Sequence, residues 1–281
     1  MKLSFRALTE HDIPIASEIV RAAYGSIANS VSRYPTLQPN DWLLALADDT
    51  PVGLGGATHY SSFSYIGMLG VLPSMQRYGI GRAIMEALLQ LVEERGIPTV
   101  LLDASNAGVR LYTQLGFVED DKAVLLQRDD ILQVKPSVHD GTISLIQESE
   151  LPELVAFDTP LFGAERAHVL ASYLADASQR SFVARNDKGA ITGFLIAQSG
   201  QLGPWMAINV EVAEQLLTHA MALPYEKSPV VIIPAMNRQA DTLLQRYGFV
   251  QQRALAHMRL GPPVQDRNRY VMYGQASFAI G

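Results

Sequence analysis

At 281 residues the chain exceeds the roughly 100–150 residues of a single domain, so two domains are expected, and 48% hydrophobic residues suffice to fill their cores. A formal net charge of -6 argues against broad nucleic-acid binding, which a basic face would carry, and the lack of any cysteine excludes disulfides, thiolate metal sites and a cysteine nucleophile. The N-terminus has no basic stretch ahead of an apolar signal core, and no uncharged apolar run of 18 residues occurs, so a cytoplasmic protein without a membrane partner is expected.

Leu3 to Leu8 alternates as a short strand, and Thr9-Glu10-His11-Asp12 is a helix start leading into Ile13 to Tyr24. Ser26 to Asp41 is polar and interrupted by Pro35 and Pro39, which predicts a loop with at most a short helix. Trp42 to Ala47 and Val52 to Tyr60 read as strands joined by the turn Asp48-Asp49-Thr50-Pro51. The stretch that follows, Tyr65 to Gly96, sets a strand, a glycine-rich turn and an amphipathic helix in direct succession. Pro73 ends the strand Tyr65 to Leu72, Gln76-Arg77-Tyr78-Gly79-Ile80-Gly81 makes the turn, and Ile80, Ile84, Leu88 and Leu91 recur at helical spacing. The first amides of such a helix lack partners and share the positive end of its dipole, so the turn predicts an anion site with Arg77 and Arg82 alongside. Gly79 and Gly81 let a diphosphate approach the backbone, whereas Gly67 and Gly70 inside the strand predict a bulge or a close approach by another group.

Pro98 to Asp103 reads as a second buried strand. Ser105 or Asn106 can cap a helix Ala107 to Leu115, Gly116 fits its C-terminal cap, and Phe117 to Arg128 reads as a closing hairpin. Asp129 to Gly141, of mixed charge with a proline and a glycine, is read as the junction between a first domain, 1–136, and a second, 137–281. Phe157 to Leu174 reads as helical, with Phe162, Arg166 and Leu170 on a common, domain-packing face. Beyond it the first half recurs: IIPAMNRQADTLLQRYGF parallels LLDASNAGVRLYTQLGF, with Phe249 lying 132 positions after Phe117. Leu202-Gly203-Pro204 parallels Leu69-Gly70-Val71, and Glu214 to Leu217 parallels Glu86 to Leu89. The spacing between these landmarks shrinks from 17 to 12, so the repeat loses five residues in the glycine-rich turn, and Leu244 stands where the first half has Tyr112.

The segment Tyr65 to Phe117 resembles the GNAT superfamily of N-acyltransferases. Its acyl-CoA motif, Gln/Arg-x-x-Gly-x-Gly/Ala after a Val-x-Pro-like turn, reads here as Val71-Leu72-Pro73 followed by Gln76, Gly79 and Gly81. SNAGVRLYTQLGF, Ser105 to Phe117, is similar to the family's second signature, and the turn carries neither GxGxxG nor GxxxxGK[ST]. The repeat, with the ending YGQASFAIG, resembles tandem members whose second domain is degenerate.

The resemblance implies an α/β fold (α+β, mixed sheet) of two GNAT-like domains in tandem, the first catalytic. It implies acetyl-CoA as cosubstrate with no metal. The coenzyme would be held by Leu69 and Val71 on the strand, by Gln76, Arg77, Tyr78, Gly79, Ile80, Gly81 and Arg82 at the turn, and by Asn106. An oxyanion would meet an amide near Val71, and Tyr112 would reprotonate the departing thiolate. Many family members place a Glu on the central strand, but YIGMLGV has none, so Asp103, His59 or a water chain stay open as the base, with His59 and Asp103 reading first as structural residues. The expected function is transfer of an acetyl group from acetyl-CoA to a primary amine of a small molecule or peptide. The acceptor and a homodimer are left open. A non-catalytic acyl-CoA sensor or partner-binding protein is the alternative, and the acidic balance weighs against a tandem aminoacyl transferase using tRNA.

Overall fold

The computed structural model describes residues 1–25, 31–128 and 143–281. The expected junction and part of the Ser26 to Asp41 loop lie outside these described residues.

The first half runs β1 (Leu3–Ala7), α1 (Ile13–Tyr24), α2 (Arg33–Leu37), β2 (Trp42–Ala47), β3 (Thr50–His59), β4 (Ser64–Val71), α3 (Ile80–Glu94), β5 (Val100–Ala104), α4 (Asn106–Gln114) and β6 (Val118–Arg128). The second repeats the order as β7 (Ile143–Leu145), α5 (Leu151–Phe162), α6 (Ala167–Asp176), β8 (Ser181–Arg185), β9 (Ile191–Ala197), β10 (Gln201–Ala207), α7 (Val210–Met221), β11 (Val230–Pro234), α8 (Arg238–Arg246) and β12 (Phe249–Leu260). A last short strand, β13, spans Met272–Gly274. Most elements fall where periodicity and punctuation put them. Two expectations are overturned. Phe117 to Arg128 is one long strand, not a hairpin, and the helix expected over Phe157 to Leu174 breaks between α5 and α6, where Gly163 takes φ +86°.

The strands of both halves form one continuous sheet in the order β1-β2-β3-β4-β5-β12-β6-β11-β10-β9-β8-β7. The halves exchange their last long strands: β12 of the second inserts beside β5 of the first, and β6 of the first pairs with β11 of the second. β6 and β12 meet antiparallel at the centre, giving the chain an approximate two-fold relation between its halves.

Alternation along the strands sends side chains into two helical layers. On β2, Trp42 and Leu44 face a core shared by α1, α2, α5 and α6, while Leu43, Ala45 and Ala47 face the α3 and α4 side. The shared core joins Ile19, Tyr34 and Phe63 of the first half to Phe162, Leu170 and Phe194 of the second, and each such buried side chain contributes about 1.5–3 kcal/mol. Ile80, Ile84 and Leu88 seat α3 on the sheet, and α7 and α8 cover the corresponding face of the second half. No helix among the described residues is long and apolar enough to cross a membrane.

Candidate active site

β4 and β5 run parallel but pair only at Ser64 with Val100 and Tyr65 with Leu101. Beyond Tyr65 they separate. A bulge sits opposite Gly55, where Met68 and Leu69 occupy the space of one residue between the paired positions Gly67 and Gly70, and Met68 takes the left-handed φ of 53°. The glycines predicted a bulge, and their flanks locate it. Tyr24, at the end of α1, donates its hydroxyl to the Leu69 carbonyl, and its ring lies against Gly70, where a Cβ would come within 3.3 Å of Cε2. At the base of the gap the C-terminal residues press on the strand: a Cβ on Gly67 would lie 2.4 Å from Cα of Ala279.

The turn above the gap opens on the same space. Arg77 (φ 67°) and Gly79 (φ 82°) are left-handed, and a Cβ on Gly79 would meet nothing within 4 Å, so the backbone there faces open room. Gly79 is the N-cap of α3 and has no side chain to satisfy the first amides, and the Gly79 carbonyl is taken by Ala83. Gln76 turns its amide back onto the Val71 carbonyl (3.1 Å), holding the turn to the strand. Arg77 and Tyr78 are exposed at its rim, and Arg82 reaches Gln114 on α4 (2.9 Å). An acyl-CoA diphosphate fits this cradle by charge and by the room in front of Gly79.

Tyr112 faces the gap from α4. Its ring lies over Gly108, where a Cβ would fall 2.7 Å from Cε2, and packs against Phe117. Burial pushes its hydroxyl up to about 12, so the phenol keeps its proton at neutral pH. Turn, bulge and Tyr112 line one cavity of about 1600 Å³.

The other candidates are placed differently. Asp103 touches the cavity, but its carboxylate is fully enclosed, accepting from His257 Nδ1 (2.8 Å) and Gln275 (3.2 Å). His257 is itself held neutral, pushed down to about 4 by burial and by Arg269, whose guanidinium donates to its Nε2 and also binds Asp121. This enclosure gives the Asp103 carboxylate a structural place in the cavity wall. His59 bonds Ser64 (2.7 Å) and stands beside Asp41 and Arg95, away from the cavity. The wall passes from Ser105 to Ala107 and from Arg77 to Gly79, leaving out both Asn106 and Tyr78. Arg166 is buried on the Phe162 ring and paired with Asp158, which makes both packing residues.

Sequence reasoning named none of the individual residues of the wall opposite the turn. Ser172, Tyr173 and Asp176 of α6, with Arg180 and Gln198, come from the second half, and Arg33 and Tyr34 from α2. No local signal marks them, because they reach the cavity only through the packing of the two halves.

The corresponding gap of the second half is filled. β10 and β11 also pair at only two positions, Gln201 with Val230 and Leu202 with Val231, but β13 then enters between them. Trp205 pairs with Gly274 and Met206 with Met272, while the amide of Gln275 donates to the Ile232 carbonyl (2.8 Å). Asn209 caps α7 by accepting from the Val212 amide (2.9 Å), and Leu244 is buried at the place of Tyr112.

Models of the acetyltransferase (GNAT) domain match residues 15–132 and 154–274. The [ribosomal protein bS18]-alanine N-acetyltransferase of Escherichia coli is 34% identical over 125 residues, covering 40% of this chain and 79% of that protein. A crystal structure of a candidate acetyltransferase from Pyrococcus horikoshii superposes with a TM-score of 0.85 at 28% identity, over 99% of this chain and 96% of that one. A tandem GNAT protein from the clavulanic acid biosynthesis pathway shares the fold, with a TM-score of 0.63 at 14% identity over 93% of this chain and 100% of that one. The chain belongs to the GNAT acetyltransferase family and carries two of its domains in tandem.

Proposed function

We propose that the protein is an N-acetyltransferase that transfers an acetyl group from acetyl-CoA to a primary amine of a small molecule or peptide, with the chemistry in residues 1–136. The observation that carries this reading is the opening of the α3 turn, the β4 bulge and Tyr112 onto one cavity. The coenzyme supplies an activated acyl thioester. The residues that would hold it are Gly79, Ile80, Gly81 and Arg82 through their amides and charge, Gln76, Arg77 and Tyr78 at the rim, and Leu69 and Val71 along the separated strand.

The chain's own groups divide the remaining work. Leu69, Gly70 and Val71 line the gap beside the bulge, and an amide near Val71 would stabilise developing negative charge on oxygen. Tyr112 is protonated at neutral pH and would give that proton to the departing thiolate, its phenolate then recovering one from water. Alignment of amine and thioester in the cavity lowers the barrier further. With the Asp103 carboxylate engaged by His257 and Gln275, proton removal from the ammonium falls to water in the cavity. Residues 137–281 form the non-catalytic half and one wall of the acceptor site. Its gap is occupied by β13, and its α7 terminus is already capped by Asn209.

The test is a thiol-release assay with acetyl-CoA over a panel of amines, beside calorimetry with CoA. One CoA per chain and amine-dependent release are expected. Binding without release from any amine would leave the non-catalytic sensor, and no CoA binding would remove both readings.

A further inference from the structure

The cavity is charged against the sign of the whole chain. The sequence carries 28 acidic and 22 basic side chains, yet the ionised side chains lining the cavity are Arg33, Arg77, Arg82, Arg110, Arg180 and Arg253 against Asp103 and Asp176. Each acid already has a partner in the protein. The Asp103 carboxylate is enclosed by His257 and Gln275, and Asp176 is paired with Arg33, which also donates to Ser172 (2.8 Å) and lies 4.0 Å over the Tyr173 ring.

Arg33 belongs to α2 and is neutralised by Asp176, and the other five arginines separate into two groups by the elements that carry them. Arg77, Arg82 and Arg110 stand on the turn and on α3 and α4, where the diphosphate belongs. Arg180 and Arg253 come from the second half, across the cavity. Arg180 gives Nε and Nη1 to the carbonyls of Ala197 (3.0 Å) and Pro224 (3.1 Å) and stacks on Tyr225, so its position is fixed while its charge has no carboxylate partner among the described residues. Arg253 is exposed on β12 beside a register shift, with its guanidinium 5.2 Å from the Phe278 ring and no ion pair among the described residues. Arg253, exposed and held against an aromatic ring, can receive a planar or tetrahedral oxyanion in two hydrogen bonds, whereas Arg180, with Nε and Nη1 engaged and Nη2 buried, contributes its charge.

The geometry points to an acceptor whose amine is accompanied by an anionic oxygen group, a carboxylate or a phosphate, bound on the Arg253 and Arg180 side. This inference rests on the acetyltransferase reading and narrows its substrate. A polyamine or simple cationic amine would bring positive charge to a wall with two uncompensated arginines and no acid without a partner.

Matched amines test it in the thiol-release assay: phenylalanine against phenethylamine for the carboxylate, and phosphoethanolamine against ethanolamine for the phosphate. The acid-bearing member of at least one pair should show kcat/KM roughly tenfold or more above its acid-free partner, the scale of one hydrogen bond between charged groups. Which pair shows it identifies the group. In Arg253→Gln that ratio should fall toward one, and in Arg180→Gln it should fall in part, with CoA affinity by calorimetry unchanged. Equal or better turnover of the acid-free member in both pairs overturns the inference, as does an absence of release from both acid-bearing amines. A loss of CoA affinity in Arg253→Gln assigns that residue to the coenzyme and also overturns it. Failure of the wild type to bind CoA instead defeats the acetyltransferase reading beneath it.

Discussion

Ala123 pairs with Leu255 where β6 and β12 cross, and the two hold equivalent places in their halves, each six residues beyond the phenylalanine of its Gly-Phe pair, Phe117 or Phe249. The approximate two-fold axis of the molecule therefore passes through this pair. Each half completes its sheet only with a strand from the other. Residues 1–136 alone would leave β5 without β12 and β6 without both of its neighbours, exposing long unpaired edges. The two halves should unfold in one transition, with calorimetric and van't Hoff enthalpies in agreement, and a chain cut to 1–136 should be insoluble or unfolded. Two resolved transitions would show that the exchanged strands do not couple the halves.

At the turn, stability and binding should separate. Gly79→Ala forces a side chain into a left-handed conformation at φ 82° and should cost about 1 kcal/mol in urea unfolding. Gly81→Asp should cost the fold little, because a Cβ there meets Leu69 at an ordinary 3.6 Å and an acid in the first turn of α3 favours the helix dipole. The same carboxylate opposes a diphosphate. CoA affinity should fall more than roughly tenfold by calorimetry while the unfolding midpoint holds, since each tenfold is about 1.4 kcal/mol.

The first half was legible from Leu3 to Gly116 because hydrophobic alternation and helical spacing, cut by glycine and proline, are local signals. The glycine-rich turn was legible for the same reason, whereas Tyr112 entered as a candidate only through the family resemblance. The fate of β6 was not. Alternation marks which face of a strand is buried, but not that its partners, β11 and β12, lie in the other half of the chain. The wall around Tyr173 and Arg180, and the entry of β13 into the second gap, likewise depend on contacts distant in sequence. The loss of five residues and of the tyrosine in the repeat signalled a changed second half, but not that Met272–Gly274 occupies it.

Gly67 tests the part played by the C-terminal residues at the gap. A Cβ would fall 2.4 Å from Cα and 2.5 Å from the carbonyl oxygen of Ala279, both main-chain atoms that cannot swing aside. Gly67→Val should therefore displace Ser277 to Ala279 from the cavity, costing about 1–3 kcal/mol as overpacking does. The amine KM should rise, because Ser277 and Phe278 line the cavity. A variant as stable and active as the wild type would show that this contact is dispensable.

The His257 site gives a dependence on acidity with a definite sign. The imidazole is neutral in the fold and pushed down to about 4, against about 6.5 in an unfolded chain. Its stabilising contribution is thus fully present above pH 6.5 and is lost as the pH falls from there toward 4, while the unfolded chain takes up a proton that the folded one refuses. The loss should be on the order of 3 kcal/mol, read as a falling urea midpoint between pH 7 and 4.5. His59, pushed down to about 4 by burial and by Arg95, acts in the same direction. His257→Gln keeps a donor for Asp103 and does not titrate, so it should remove about half of the slope and leave the share of His59. An unchanged slope would place the acid sensitivity elsewhere.

Tyr112 should matter to turnover and not to binding. Its hydroxyl has no hydrogen-bond partner among the described residues, and burial alone raises its pKa to about 12, so removing the oxygen breaks no protein contact. Tyr112→Phe should fold as well as the wild type and bind CoA equally, yet lose roughly a hundredfold in kcat, within the range for a positioned proton donor. Gly108→Ala separates the proton from its position. A Cβ would come within 2.7 Å of the ring, which must turn to relieve the contact, carrying an intact hydroxyl away from its place. That variant should lose activity with the phenol still present, and Gly108→Ala combined with Tyr112→Phe should be little worse than Tyr112→Phe alone. Additive losses would mean that Gly108 acts on the coenzyme and not through the tyrosine. Full activity in Tyr112→Phe would mean that the thiolate takes its proton from water.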